Sequence, residues 1–285
     1  MSTSNADQKA FWETFADLWV TRQTDLDALF TPVLDALMDR AALQPGQTVL
    51  DIGCGTGTSA LQAAKAVGPE GHVTGADISE PMLVRARATA TGVPNLTFQT
   101  ADVAEHPYAP GSFDHVISRF GVMFFADPTA AFSNIRKAMI PGATLTMACW
   151  SVLDQNPWFS VPMYAAKKQL GAPPRLDPDA PGPLAFRDID RVSGILKDAG
   201  FAQVSGQAVQ LHLTPLGDLG EVAAHAATIG PAARTFEFFE GTQDDFDVVA
   251  ADVAEAFADY MTKDGARVPA EINFFTATAP AHTGT

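Results

Sequence analysis

Basic residues are scarce in this chain: 18 Lys and Arg stand against 33 Asp and Glu, giving a net charge of −15. An acidic surface repels phosphate backbones and anionic lipid heads, and no run of Lys and Arg makes a local exception. Nucleic acid and membrane surfaces are therefore not expected partners. Cysteine is nearly absent. Cys54 and Cys149 are too few for a disulfide framework and lack metal-site spacing, so no metal and a reducing, cytoplasmic setting are expected. No apolar run approaches the ~20 residues of a spanning helix, and Met1 to Asp7 is polar with no signal-peptide core, so the expectation is a soluble protein. Apolar residues, by contrast, make up 47% of the 285, enough for one large core or for one core carrying a smaller cap.

The most informative stretch is Val49-Leu50-Asp51-Ile52-Gly53-Cys54-Gly55-Thr56-Gly57, followed by a helical pattern from Thr58. It reads as an apolar strand, an acid and three glycines at alternate positions, the grammar of a nucleotide-cofactor loop. Glycine there lets the backbone adopt conformations a side chain forbids and approach a ligand closely. Tight strand-to-helix turns also need glycine without any ligand, so the loop alone leaves both readings open.

Before this loop, Asp7 to Val20 carries Phe11, Phe15, Leu18 and Trp19 at helical spacing, with Trp12 beside them. Thr24 to Leu43 continues through Leu26, Leu29, Phe30, Val33, Leu34 and Leu37, with Pro32 marking a restart or kink. Residues 1–43 thus read as an N-terminal helical lid able to fold over the cofactor site. Trp12 and Trp19 either wall off a substrate or simply pack, and Arg22 is either solvated or the partner of a carboxylate.

After the loop, strand and helix alternate: helix Thr58 to Val67, strand His72 to Asp77, helix Glu80 to Thr91, strand Asn95 to Thr100, strand Phe113 to Ser118, a helix capped at Asp127-Pro128, and strand Ala143 to Trp150. Residues 44–150 therefore predict a cofactor-binding, Rossmann-like core with a doubly wound, mainly parallel sheet. Ligands in such sheets bind at the carboxyl ends of strands, where Asp51, Asp77, Asp102 and Ser118 all fall. A carboxylate at the tip of the second strand can accept both hydroxyl protons of a ribose. The alternative for Asp77 is capping the next helix, for which Ser79 is better placed. Met82 either packs on a base or belongs to the core, and Asp102 can accept from the exocyclic amine of adenine.

Taken in order, the glycine stretch, Gly75-Ala76-Asp77-Ile78-Ser79, Ala101-Asp102, Phe113-Asp114 and Pro141-Gly142 resemble the motifs of class I S-adenosylmethionine-dependent methyltransferases, and more narrowly the ubiquinone/menaquinone-type small-molecule branch. Ser118-Arg119-Phe120-Gly121 together with Asn156-Pro157-Trp158 is similar to one bacterial subgroup of these. The resemblance implies S-adenosylmethionine as cofactor, with S-adenosylhomocysteine as product, and a seven-stranded, mostly parallel sheet with an antiparallel last strand. It implies that Gly53, Gly55, Gly57 and the adjoining Thr58 let the backbone pass the methionine part, with Asp51 organising the loop. Asp77 takes the ribose, Ile78 and Met82 flank the adenine, and Asp102 and Val103 contact its edge. Ser118, Arg119 and Phe120 lie under the sulfonium, where an aromatic face suits a cation.

The second half reads as a cap insertion and Pro-rich connector (151–186), then the rest of the sheet (187–285) with a helical cap insertion at about 215–264. A helix at Asp190 to Ala199, a strand at Phe201 to Leu213, helices at Leu216 to Ile229 and Thr242 to Met261, and a final strand at Ala270 to Thr278 are predicted. Trp158 and Phe159 join Trp12, Trp19 and Arg22 as candidate substrate contacts.

Methyl transfer from a sulfonium needs alignment, proximity and exclusion of water before it needs a base. No catalytic base is marked by motif; His106, His225 and Tyr164 are the candidates by position, while His115 falls inside a strand. Methyl transfer to an oxygen, nitrogen or activated carbon of a small-molecule acceptor is the expected function. A cofactor-binding protein without turnover is compatible with the same loop. A nicotinamide oxidoreductase fits poorly, because the third glycine comes one residue earlier than in Gly-x-Gly-x-x-Gly and an acid precedes the first.

Overall fold

Two helices open the structure, a computed structural model that describes residues 5–175 and 177–280. The side chains of Phe11 and Phe15, and His282, lie outside the described residues. Helix α1 (Asn5–Thr21) has one buried side chain among those described, Ala16. Helix α2 (Gln23–Ala41) is a core element: Leu26, Leu29, Val33 and Leu37 recur every three or four residues and are all buried. Pro32 sits inside α2 without ending it. Its missing N–H leaves the Ala28 carbonyl without the usual donor four residues on. The Thr214 hydroxyl donates to that carbonyl at 2.5 Å instead, and the Thr214 N–H reaches Leu29 O at 3.2 Å.

The sheet follows: β1 (Thr48–Ile52), α3 (Thr58–Val67), β2 (His72–Asp77), α4 (Glu80–Thr89), β3 (Leu96–Thr100), β4 (Phe113–Arg119), α5 (Pro128–Ala138) and β5 (Met139–Trp150). Later come α6 (Pro157–Leu170), α7 (Ile189–Asp198), β6 (Ala202–Leu213), α8 (Leu219–Ala227), α9 (Gly230–Phe239), α10 (Gln243–Phe257), the short hairpin β7 (Met261–Thr262) and β8 (Gly265–Ala266), and β9 (Val268–Thr278). Seven strands form one sheet in the order β3-β2-β1-β4-β5-β9-β6; the first five are parallel, and β9 runs antiparallel to both neighbours. The expected doubly wound sheet with an antiparallel last strand is thus observed. Val49, Leu50, Val116, Ile117, Leu145 and Met147 are fully buried because helices cover both faces of the central strands, which makes those strands apolar on both sides. Strand order reverses at β1, the position beyond which sheets of this kind bind ligands at the carboxyl ends of their strands.

Two segments differ from the predicted elements. Where one helix is expected through Thr242 to Met261, α10 ends at Phe257 and the chain turns into β7 and β8, with Gly265 at φ 101° directly after a turn that helix periodicity does not register. Helix α9 is absent from the sequence expectations; its Gly230-Pro231 start reads as a loop signal, but proline in the first turn begins a helix equally well. Around the Pro-rich connector, the Asp179 carboxylate clamps Arg187 at 3.0 Å and Arg191 at 3.3 Å. Residues 214–267 leave the sheet at Leu213 and return at Val268, and these two residues are cross-strand partners. No described helix is long and apolar enough to cross a membrane.

Candidate cofactor and acceptor site

The glycine loop crosses the carboxyl end of β2, drawn there by the N–H groups of Gly53 and Cys54, which donate to Ala76 O at 2.8 and 3.1 Å. Its three glycines take positive φ but meet different surroundings. A Cβ at Gly53 would stand 2.6 Å from Gly121 Cα, and one at Gly57 would stand 2.9 Å from the Phe98 ring and 3.0 Å from Ala86 Cβ. Packing alone demands glycine at both. At Gly55 the nearest atom is Met82 Sδ at 3.8 Å, so this is the glycine whose open side faces room.

Asp77 ties this loop to the next helix. One carboxylate oxygen accepts the Gly55 N–H and the other the Ser79 N–H, both at 2.8 Å. The capping expected of Ser79 is not made by its side chain: the hydroxyl is buried without a partner, and Asp77 serves the start of α4 instead. Burial raises the pKa of Asp77, against the pull of the Ser79 and Gly55 amides. Each oxygen retains a second lone pair for a ligand hydroxyl.

Opposite charges with unmet valences flank the loop. Asp51 is fully buried; Ser59 Oγ donates to its Oδ2 at 2.5 Å, whereas Oδ1 has no partner. Burial pushes its pKa up to about 7, opposed by the Ser59 hydroxyl and the Arg119 charge. Arg119, at the end of β4, places Nη2 3.8 Å from Asp27 Oδ1, while its buried Nη1 has no partner. Asp27 is held in turn by the Thr58 hydroxyl at 2.8 Å. Leaving such atoms unpaired costs about 1–3 kcal/mol each. Ser118 is not free for a ligand, because its hydroxyl donates to Ile52 O at 2.8 Å inside the sheet. Phe120 follows at φ 68°, a strained left-handed conformation for a residue with a side chain, and its ring stacks on Trp150 at 4.9 Å.

Beyond β3, Asp102 Oδ1 accepts the Ala104 N–H at 3.0 Å and the Val103 carbonyl accepts from Asn134 at 3.1 Å, so this turn is well held. His106 in the same turn engages Gln99 at 2.9 Å and sits against Tyr108. His115 is buried in β4 with Thr146 at 3.0 Å, a packed strand residue.

On the helical side, Trp12 lies edge-on to Trp19 (5.7 Å) and Phe124 (4.8 Å). Phe159 meets Trp150 at 4.6 Å. Arg22, at the break between α1 and α2, donates to Thr228 Oγ1 at 2.8 Å. Trp158 is fully buried, stacks on Phe257, and meets His225 edge-on at 5.6 Å. Arg22, Trp158 and His225 are thus brought to one locality. Tyr164 is not: it is 54% exposed and bonded to Asp154. Sequence reasoning gave no site role to Asp27, Ser59 and Trp150, and named Gly121 only as part of a motif. Only Gly121 carried a signal, as a glycine directly after a strand end; Asp27 lies in an unremarkable turn of α2.

Residues 43–178 match a family model described as "Methyltransferase domain". This segment is similar to methyltransferase domains. The chain is 35% identical over 114 residues to nocamycin O-methyltransferase of Saccharothrix syringae, covering 39% of this chain and 41% of that protein. It is 34% identical over 106 residues to demethylmenaquinone methyltransferase of Staphylococcus aureus, covering 37% and 44%. The matched region therefore spans less than half the length of these curated relatives. Phosphoethanolamine N-methyltransferase 2 of Haemonchus contortus, solved with S-adenosyl-L-methionine, superposes with a TM-score of 0.52 at 23% identity, over 87% of this chain and 52% of that one, a likeness of fold. In the matched segment the motif residues Asp51, Gly53, Asp77 and Asp102 all stand at the carboxyl ends of β1, β2 and β3.

Proposed function

We propose that the protein transfers a methyl group from S-adenosylmethionine to a small-molecule acceptor. The observation that carries the cofactor is the pair of unmet buried atoms, Asp51 Oδ1 and Arg119 Nη1. One is an acceptor on an acid and the other a donor on a permanent cation, the complement of an α-amino-acid end with its ammonium and carboxylate. Asp77 receives the ribose hydroxyls beside its loop amides, Ile78 and Met82 flank the adenine, and Asp102 takes its amine. Phe120 and the glycine loop border the sulfonium. The bound cofactor supplies an electrophilic methyl on a good neutral leaving group; the protein's part is alignment and exclusion of water.

Helix α1 is the lid in this reading and α2 the fixed wall beneath it, since among the described side chains only those of α2 are buried along a face. Residues 44–150 form the cofactor core, and 151–186 with the insertion at about 215–264 form the cap. Small acceptors are favoured by the acidic charge balance and by the named substrates of the curated relatives. Calorimetry with S-adenosylhomocysteine, 5′-methylthioadenosine and NAD tests the cofactor. We expect one-to-one binding of the first, weaker binding of the second, which lacks the amino-acid end, and none of the third. Binding of NAD alone overturns the reading.

A further inference from the structure

Two polar atoms of the cap have no partner although both are enclosed: Nε1 of the fully buried Trp158 on α6 and Nε2 of His225 on α8, a residue only 8% exposed. Their rings meet at 5.6 Å and 88°, yet the two nitrogens do not bond each other. An indole N–H only donates, and a neutral imidazole with its proton on Nδ1 accepts at Nε2. One group that accepts from the first and donates to the second satisfies both, and a hydroxyl is such a group. An amine on an aromatic ring donates but accepts poorly, and an ether accepts but cannot donate.

This locality is coupled to the cofactor side through the start of α2. Arg22 anchors to Thr228 just beyond α8, and Asp27, about 7.5 Å further along the helix axis, holds Thr58 and faces Arg119. Phe159, next to Trp158, contacts Trp150, which stacks on Phe120 beside Arg119.

We propose that Trp158 Nε1 and His225 Nε2 bind the hydroxyl of the methyl acceptor, so that the protein methylates oxygen, with His225 as the base. The inference rests on the methyl-transfer reading above. The acceptor's O–H bond breaks and its proton goes to His225 Nε2; the oxygen gains the methyl of the sulfonium donor, and the sulfur keeps the electron pair of the broken C–S bond. His225 is suited to start neutral: burial first, then the Arg22 charge, lowers its pKa, and Asp25 opposes them. From α6 the neighbour is Trp158, itself stacked on Phe257 of α10.

The test uses the full chain, labelled with 13C at histidine Cε1 and 15N at the tryptophan indole, saturated with S-adenosylhomocysteine and titrated with 1-naphthol, 1-naphthylamine or 1-methoxynaphthalene. The His225 and Trp158 signals are assigned with His225→Gln and Trp158→Phe. The naphthol is expected to shift both signals, the amine chiefly His225, and the ether only Trp158. His225→Gln is expected to weaken naphthol binding about tenfold while S-adenosylhomocysteine affinity stays within about twofold. If S-adenosylhomocysteine binds and the naphthol moves neither signal, or moves them no differently from the ether, the subsite is overturned while the cofactor reading stands. If S-adenosylhomocysteine itself does not bind, the methyl-transfer reading fails and the inference falls with it. The wild-type spectra separate these outcomes even if a variant fails to fold.

Discussion

Gly53 and Gly121 lie backbone against backbone: a Cβ on the first would stand 2.6 Å from Cα of the second, and a Cβ on Gly121 would stand 2.5 Å from the Ile52 carbonyl oxygen. The loop after β4 is thereby pressed onto the loop after β1, which sets Arg119 opposite Asp51. Gly121→Ala should cost about 1–3 kcal/mol in urea denaturation, because the obstructing atoms are backbone and cannot rotate away. Gly142→Ala, at φ 85° with nothing within 4 Å, should cost only the conformational term of about 1–2 kcal/mol and leave cofactor affinity intact. Equal behaviour of the two variants in S-adenosylhomocysteine binding would remove the contact from the site.

Asp51 predicts a pH dependence. Its pKa lies near 7 in the fold against an ordinary 3.8, so the unfolded chain ionises first. The stability it contributes is full below about pH 4, falls as pH rises, and levels off above about pH 7. A ligand ammonium reverses the preference, because it favours the carboxylate. S-adenosylhomocysteine affinity should therefore climb between about pH 5 and 7 and flatten beyond, with proton release visible as buffer-dependent heats. Asp51→Asn should abolish that slope. A slope that survives the substitution belongs to another group.

Asp77 joins two tasks. Asp77→Ala should weaken S-adenosylhomocysteine binding by about 1.5–3 kcal/mol, through loss of charge-assisted bonds to the ribose. It should also lower the melting temperature of the ligand-free protein, since the Gly55 and Ser79 amides lose their acceptor. A lowered melting temperature with unchanged affinity would mean that the carboxylate only shapes the loop.

Removing residues 1–20 and removing residues 1–41 should differ in kind. The first takes away α1, whose described side chains include one buried residue, and should leave a cooperative melt while turnover falls. The second also removes eight buried residues of α2, among them Leu29, Val33 and Leu37. At about 1.5–3 kcal/mol for each large apolar side chain, that loss exceeds the stability of a typical domain. A folded product of the second deletion would overturn the assignment of α2 to the core.

The parallel half of the sheet was legible because its strands are nearly continuous apolar runs punctuated by glycine and acid. The order Asp51, Asp77, Asp102 at successive strand ends follows from the alternation of strand and helix alone. Arg119 and Phe120 were legible only as part of a motif; that Arg119 keeps a nitrogen unpaired depends on where α2 places Asp27, some 90 positions earlier in the chain. Ser59 gave no sign, since a serine in the first turn of a helix is ordinary until the buried acid beside it is seen. The cap was least legible. Gly230-Pro231 reads equally as a loop and as a helix start, and the meeting of His225 with Trp158 joins residues 67 positions apart through packing that no periodicity records.

The pairing of Leu213 with Val268 has a consequence of its own. Cross-strand partners stand about 5 Å apart, so the 54 residues between them, 214–267, leave and re-enter through a single narrow gate. A segment whose ends nearly touch can be exchanged for another of different length without stretching the ribbon it grows from. The segment that holds His225 can therefore vary in length without altering the strands it grows from, and in the reading proposed above acceptor choice varies with it.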